Sequence, residues 1–392
     1  MRHALFLILL DIPQGIVTNQ SPPEYVVTTE PIKDIGQLGR EWCALEAQSV
    51  NHSFFLSWHW IGSWLRSLPE RIKPLVIRVR NGEATVGLAI LVHGQTRVLK
   101  LIKLPQIALN ASGEACLDKI SIEYNGFLSV SGQETHVERA AIDWLLRTHT
   151  NESLLLPAIE TGSNTVAGML ASATGRHVKQ LAVSPAPYVD LAAIRNAGGD
   201  YLSHLSRNSR QSLRRSLRYY EAHGPLQYHR ANSLEEAIDL FAQLEQAHQT
   251  YWRTRGQPGA FAEPFFRQFH AELIRSAFTD GHIEMAVIKA GAQIIGYLYN
   301  FIWRDRIYAY LSGFNYSEDR LAKPGYVSHY MAILSALKKG QNVYDFMAGR
   351  RQHKTSLSTA QQSLVWLQLL PPLLSVRLET CINFLTVGIR KR

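Results

Sequence analysis

Cysteine is scarce in this chain of 392 residues: only Cys43, Cys116 and Cys381. An odd number of widely spaced thiols excludes a disulfide framework, and no spacing among them suits a metal centre. They are expected as small buried or half-buried thiols, for which a reducing cytoplasm is a fitting compartment. Long apolar runs are missing as well. Nothing approaches the ~20 consecutive apolar residues that a membrane-spanning helix needs. The opening segment MRHALFLILLDIP has an apolar run of only seven residues, Ala4 to Leu10, before Asp11 interrupts it. No small-x-small pattern follows, so it resembles a secretory leader only weakly, and its place in the mature protein stays open. Low-complexity and collagen-like stretches are absent too. With 46% hydrophobic and 19% charged residues, the composition is that of an ordinary globular protein.

Acidic residues are outnumbered, 32 against 41 Lys and Arg, which leaves a formal charge of +9. That balance favours anionic partners such as nucleotides, coenzyme A, tRNA or anionic lipid, without choosing among them. The length exceeds what one core usually organises, so two domains are expected.

After an extension over residues 1–23, whose Thr18-to-Tyr25 stretch reads as a linker, the first half (24–195) alternates helical and strand-like patterns. Phe54, Phe55, Trp58, Ile61, Trp64 and Leu65 recur at helical offsets. Trp58, Trp60 and Trp64 are better read as core packing than as a stacking platform. Asn81-Gly82 between two strand-like runs signals a hairpin. ISIEYNGFL (Ile120 to Leu128) reads as a strand, HVERAAIDWLLRTH as a helix and ESLLLPAI as a buried strand. The Pro-rich Ser184 to Leu191 is the expected boundary. The second half (196–375) reads as three helices, three antiparallel strands, a helix and two more strands. The first of those helices runs from Asp200 to a stop at Gly224, and the second is capped by Ser233 with Glu236 three residues on. Residues 376–392 read as an amphipathic helix with a basic end.

Three stretches carry candidate chemistry. In SGFNYSEDRLAKPGYVSHY, a strand ends and Pro324-Gly325 opens a helix behind Arg320 and Lys323. Bare N–H groups at a helix start, flanked by cations, can hold a pyrophosphate; an ordinary helix entry with solvated cations is the plain alternative. In YDFMAGRRQHKTSL, a strand carrying Asp345 meets Gly349, then Arg350, Arg351, His353 and Lys354. Lys354 can reach an anion or an oxyanion, and His353 titrates near neutrality unaided, although a histidine in such a place is commonly a surface residue. Finally, Arg207, Arg210, Arg214 and Arg218 recur at steps of three, four and four, opposite Leu202, Leu205, Leu213 and Leu217. Such a stripe can track phosphates or acidic glycans, or be a solvated face.

Taken together, these stretches resemble in order the GNAT-like acyltransferase family associated with cellulose and exopolysaccharide biosynthesis, which is related to the Fem aminoacyl-tRNA-dependent transferases. The likeness runs from Tyr201 to about Leu370, and FFLSWHWIGSW extends it to the first half. It implies an α+β fold of two tandem GNAT-like domains, each a mostly antiparallel sheet flanked by helices. It implies acetyl-CoA as donor, no metal, and an amine or hydroxyl acceptor such as a nucleotide-sugar or glycan precursor. A cytoplasmic protein results, with peripheral contact at the inner face of the membrane allowed. Arg320, Lys323, Pro324 and Gly325 would hold the cofactor. Asp345 would orient a cation or accept a proton, Lys354 would contact an anionic group, and His353 is a candidate base. Arg207, Arg210, Arg214, Gly349 and Arg350 would contact substrate. The sequence departs from the family pattern at Arg350, His353, Thr355 and Ser356, which leaves acceptor and base open. Two alternatives stand beside this: an aminoacyl-tRNA donor, disfavoured by the absence of sustained heptads, and a non-catalytic binding role in a polysaccharide assembly complex.

Overall fold

The structure, a computed structural model, describes residues 25–50, 52–98, 102–163 and 175–372. The N-terminal extension, the linker from Thr18, the C-terminal helix and Cys381 lie outside the described residues. The strands are β1 (Tyr25–Pro31), β2 (Leu75–Asn81), β3 (Ala84–Val98), β4 (Ile102–Leu109), β5 (Leu128–Ser129), β6 (Ser153–Glu160), β7 (His177–Asp190), β8 (Leu226–Arg230), β9 (Ile283–Ala290), β10 (Gln293–Trp303), β11 (Arg306–Phe314), β12 (Val343–Asp345) and β13 (Ala360–Leu370). The helices are α1 (Ile35–Glu46), α2 (Trp58–Ser67), α3 (Glu134–Thr148), α4 (Leu191–Asn196), α5 (Arg207–Glu221), α6 (Leu234–Arg253), α7 (Pro264–Ala277), α8 (Pro324–Lys338) and α9 (Gln352–Leu357).

One sheet runs β1-β2-β3-β4-β6-β13-β7-β12-β11-β10-β9-β8, with β5 paired to β3. Read inward from each edge, the two halves repeat one pattern. β1-β2-β3-β4 and β8-β9-β10-β11 are antiparallel meanders. β6 then joins β4 in parallel, as β12 joins β11. An antiparallel strand follows on each side, β13 on β6 and β7 on β12. Helices match as well: α1 and α2 follow the edge strand β1 as α6 and α7 follow β8, and α3 and α8 are both 15 residues long. The fold is mixed α and β, two GNAT-like halves in tandem. Each half is completed by a strand from the other's end of the chain, so β7 pairs with both β12 and β13 at the middle of the sheet.

Local chemistry explains the element ends. Asp34 caps α1 by accepting from the amides of Gly36 (2.7 Å) and Gln37. Ser233 caps α6, and Glu236 accepts from the Asn232 amide at 2.8 Å. Gly82 takes the positive φ that the β2–β3 turn requires. Trp60 and Trp64 are buried between the helices and the sheet with Phe54, Phe55, Phe269 and Phe301, a core rather than a platform.

Four readings are corrected. Residues Ser121 to Phe127 form no strand beyond an isolated bridge from Asn125 to Ile159, because their polar groups bond into the gap described below instead of a ladder. Ser184 to Asp190 is strand rather than a break: Pro185 and Pro187 lie within β7, where proline's missing N–H is tolerated and both carbonyls accept, from Gly349 and Phe346. The long helix begins only at Arg207, capped by Ser206, since Tyr201–His204 forms a separate 3-10 turn. Cys43 and Cys116 are exposed thiols.

Candidate functional site

The parallel pairing of β11 with β12 lasts three residues, ending at Tyr308 and Asp345. Beyond it the chain stays with β7, where Phe346 N donates to Pro187 O and Gly349 N to Pro185 O, both at 3.0 Å. β11 meanwhile stays with β10 as far as Phe314. The two therefore diverge, and β11 presents one bare edge of backbone N–H and C=O groups to the wedge between them. Asp345 helps impose the divergence. Its Oδ1 accepts from the Met347 amide at 2.7 Å, holding Met347 at φ 62°, a left-handed conformation costly for a side chain of this size.

Three adjoining cavities occupy the wedge. A central one of about 160 Å3 lies between Ala309–Phe314 and Phe346, His353 and Lys354. It shares Arg351 and His353 with one of about 440 Å3 at the start of α8, against Lys323, Pro324 and Gly325. It shares Tyr310, Leu311 and Lys354 with a third of about 200 Å3, bordered by Lys119, Ser121 and Glu123. The helix start and the lysine thus border connected space from opposite ends.

Gly325 has no room for a side chain without crowding Phe314, since an added Cβ would sit 3.2 Å from its ring. Lys323 is held nearby: its Nζ donates to Ser212 Oγ at 2.6 Å, and its amide to Ser216 Oγ. Arg320 is exposed and lines none of the three cavities. Arg351, not Arg350, reaches the wedge, its guanidinium 5.1 Å from the Trp252 ring; Arg350 points to solvent because Gly349, at φ 136°, turns the chain. Arg207 and Arg214 are likewise exposed on α5, and Arg210 donates to Leu202 O at 3.3 Å, so that face is turned from the cavities while Ser212 and Ser216 face α8.

His353 stacks on His329 with ring centroids 5.3 Å apart. Burial, reinforced by Lys354 and Arg351, lowers its pKa to about 4, so it is neutral at pH 7 and a weak base. Asp345 is fully buried on the opposite side of β12 from Tyr344. Its Oδ2 accepts from Tyr124 Oη at 2.6 Å and pairs with Arg306 at 3.0 Å. Strand alternation therefore takes Asp345 out of the linings of the three cavities, where it holds Tyr124, Arg306 and the Met347 amide. Lys354 Nζ donates to Ala348 O at 2.7 Å and Met347 O at 3.3 Å.

The partner that sequence reasoning missed is Glu123, buried beside Lys354, with Oε2 accepting from the Ala348 amide at 2.8 Å. Burial raises the Glu123 carboxyl and lowers the Lys354 ammonium, pushing both toward their neutral forms. Such a pair suits proton transfer near neutrality. Glu123 lies in the other half of the chain from Lys354, in a stretch whose alternation mimics a strand, so no local signal marked it. His248 was also missed. It lines the central cavity and accepts from Trp252 Nε1 at 2.9 Å. Among the described residues, no group of His, Cys, Asp and Glu is placed to hold a metal ion, and no helix is long and apolar enough to cross a membrane.

Residues 207–355 match the family model of an acetyltransferase (GNAT) domain. No curated protein matches the chain. Among solved structures, FemX shares 12% identity, with 91% of this chain and 99% of that one aligned at a TM-score of 0.54. The C-terminal domain of a putative lysylphosphatidylglycerol synthetase from Agrobacterium fabrum shares 11% identity over 90% and 97% of the two chains, TM-score 0.52. L-PGS from Bacillus licheniformis shares 10% over 90% and 97%, TM-score 0.50. At these identities the likeness establishes the fold alone. The chain thus shares the fold of these structures over about nine-tenths of its length, with the acetyltransferase (GNAT) domain match confined to the second half.

Proposed function

We propose that this chain moves an acyl group, acetyl from acetyl-CoA in the simplest case, to an amine or hydroxyl acceptor. The observation that carries the reading is the open wedge, bordered by a basic helix start at one end and by Lys354 with Glu123 at the other. A donor's pyrophosphate would rest against the N-terminal end of α8 at Pro324 and Gly325, helped by Lys323 and Arg351. Its extended arm would follow the bare edge of β11, delivering the thioester carbonyl to the central cavity. The acceptor would enter past Lys119, Ser121 and Glu123. Glu123 takes the acceptor's proton as its nitrogen or oxygen bonds to the acyl carbon. Lys354 and backbone amides of the wedge stabilise the oxyanion, the C–S bond breaks, and the thiolate takes the proton from Glu123, so that coenzyme A leaves as the thiol and the carboxylate is restored. His353, neutral, serves as wall rather than base. An acceptor from polysaccharide or cell-envelope biosynthesis is in keeping with the sequence resemblance.

A second reading replaces the donor with an aminoacyl-tRNA. It is supported by the sequence resemblance to relatives of the Fem aminoacyl-tRNA-dependent transferases, by the fold shared with FemX, and by the exposed Arg207, Arg214 and Arg218 on α5. Isothermal titration of the full chain with acetyl-CoA tests the first reading. Micromolar binding that is weakened by Lys323→Glu supports it; no binding, with retention of the chain by charged tRNA, replaces it with the second.

A further inference from the structure

One buried titratable group of the second half has no part in the chemistry above. His270, on α7, is fully buried, and its two ring nitrogens face two hydroxyls. Nε2 lies 2.9 Å from Tyr310 Oη, and Nδ1 lies 3.4 Å from Tyr299 Oη. Tyr310 Oη in turn lies 2.6 Å from Ile120 O, in the first half of the chain. A carbonyl can only accept, so the Tyr310 proton is committed to Ile120. Toward His270 the same oxygen must accept, which places the ring proton on Nε2. Nδ1 is left to accept from Tyr299. Burial holds His270 well below its ordinary pKa, so the ring is neutral and this tautomer accounts for both nitrogens. Every proton in the chain Tyr299–His270–Tyr310–Ile120 therefore points the same way, toward the first half.

That chain ends on the segment that carries Glu123. The segment is strained: Ser121 and Tyr124 have φ values of 51° and 50°, left-handed conformations costly for residues with side chains. Such backbone persists only where surrounding contacts fix it. Two contacts bracket it here. Tyr310 ties Ile120 O, the carbonyl just ahead of Ser121, and Ser53 Oγ donates to Tyr124 O at 3.0 Å. Glu123 lies between the two ties, with its carboxylate on the Ala348 amide at 2.8 Å. Tyr310 also lines both the central cavity and the one bordered by Lys119, Ser121 and Glu123, so the tie is made at the wall of the site.

We propose that Tyr310, oriented by His270, is a positioning residue that holds Glu123 beside Lys354 for acyl transfer, a role that rests on Glu123 being the base named above.

Carbon-13 NMR of the full chain, labelled at the side-chain carboxyl of glutamate, tests it, with the Glu123 signal identified by its loss in Glu123→Gln. In the wild type that signal should titrate above the ordinary carboxylate range. Tyr310→Phe should lower its midpoint by about one pH unit, because the freed segment admits water to a carboxyl that burial raises. His270→Leu should lower it in the same direction, and gives the reading if Tyr310→Phe does not fold. His270→Gln, whose amide donates as Nε2 does, should keep the wild-type midpoint; a loss of core packing alone would not separate leucine from glutamine in this order. A crystal structure of Tyr310→Phe should show Glu123 withdrawn from the Ala348 amide. A midpoint unmoved in Tyr310→Phe, or in His270→Leu should the first not fold, overturns the positioning role while leaving Glu123 as base. So does a bond from Ala348 to Glu123 that stays at 2.8 Å in Tyr310→Phe. An ordinary carboxylate midpoint in the wild type overturns both.

Discussion

The two halves of the sheet use the same strands to opposite ends. In the second, the parallel pair β11–β12 splays and the gap stays open. In the first, β4 and β6 also part after three paired residues, but the gap is filled. Asn125 is the plug. Its amide N–H donates to Ala158 O at 3.2 Å, and its side chain donates to Leu109 O at 2.9 Å. Asn110 Nδ2 donates to Asn125 Oδ1 and Gly126 O, each at 2.8 Å. The backbone edge that a donor's arm could follow in one half is thus satisfied internally in the other. The same segment, Ser121 to Gly126, places Glu123 beside Lys354 and Tyr124 on Asp345. Closing the first wedge helps furnish the second, which teaches that the halves are not independent modules.

The comparison breaks most decisively at the open wedge. Lys354→Ala should reduce acyl transfer by about 100- to 1,000-fold, in the range of losing an oxyanion donor, with acetyl-CoA affinity changed little. Turnover and donor binding, measured separately, check this; unchanged turnover would remove Lys354 from the mechanism. At the closed wedge, Asn125→Ala should destabilise the fold by about 2–4 kcal/mol, because Leu109 O and Asn110 Nδ2 lose buried partners. Urea unfolding measures it, and a loss below about 1 kcal/mol would mean that the plug is incidental.

How far the sequence foretold these differences depends on distance along the chain. The β2–β3 hairpin, the β9-β10-β11 meander, the caps at Ser233 and Gly224, and the helix opening at Pro324-Gly325 were legible, because each is set by residues within a turn of one another, whereas the edge strands β1 and β8 and the strand β4 were not read. The cations at Lys323 and Lys354 were legible as candidates for the same reason. Gly349 identified the turn, yet whether Arg350 or Arg351 faces inward depended on a φ value that sequence does not specify. Asp345 was read as orienting a cation or accepting a proton, and it does pair with Arg306; a strand's alternation gives two faces without saying which one holds the cavity. Glu123, Tyr124 and Asn125 were illegible: ISIEYNGFL has the alternation of a strand, and what overrides it is a set of hydrogen bonds to β6, β12 and Ala348. The exchange of β7 and β13 between halves was equally hidden, as Pro185 and Pro187 argue locally against a central strand.

Two smaller changes sharpen the contrast. Glu123→Gln should lower turnover about 10- to 100-fold and flatten the pH profile. With Glu123 intact, the rate should rise with pH through a range above that of ordinary carboxylates, since burial raises this group and only its ionised form takes a proton. A rate–pH curve that keeps its shape in the variant would assign the base elsewhere. Lys323→Glu gives the second wedge the acidic entry of the first, where Glu134 opens α3. It should raise the KM for acetyl-CoA about tenfold while turnover at saturation stays near wild type, because the exchange touches the binding end only.

The smallest effect uses a feature the halves share. His52 lies in the first half and His353 in the second, and burial lowers both to a pKa of about 4. Each is neutral when folded, whereas in the unfolded chain it protonates near its ordinary value of 6.5. Stability is therefore fully present above pH 6.5 and is lost as pH falls from 6.5 toward 4, by roughly 1–3 kcal/mol for each histidine. His353→Gln should remove the second half's share of that slope and His52→Gln the first's, as seen in thermal melts between pH 4 and 7. If neither substitution changed the slope, burial of the two rings would not be what opposes their protonation.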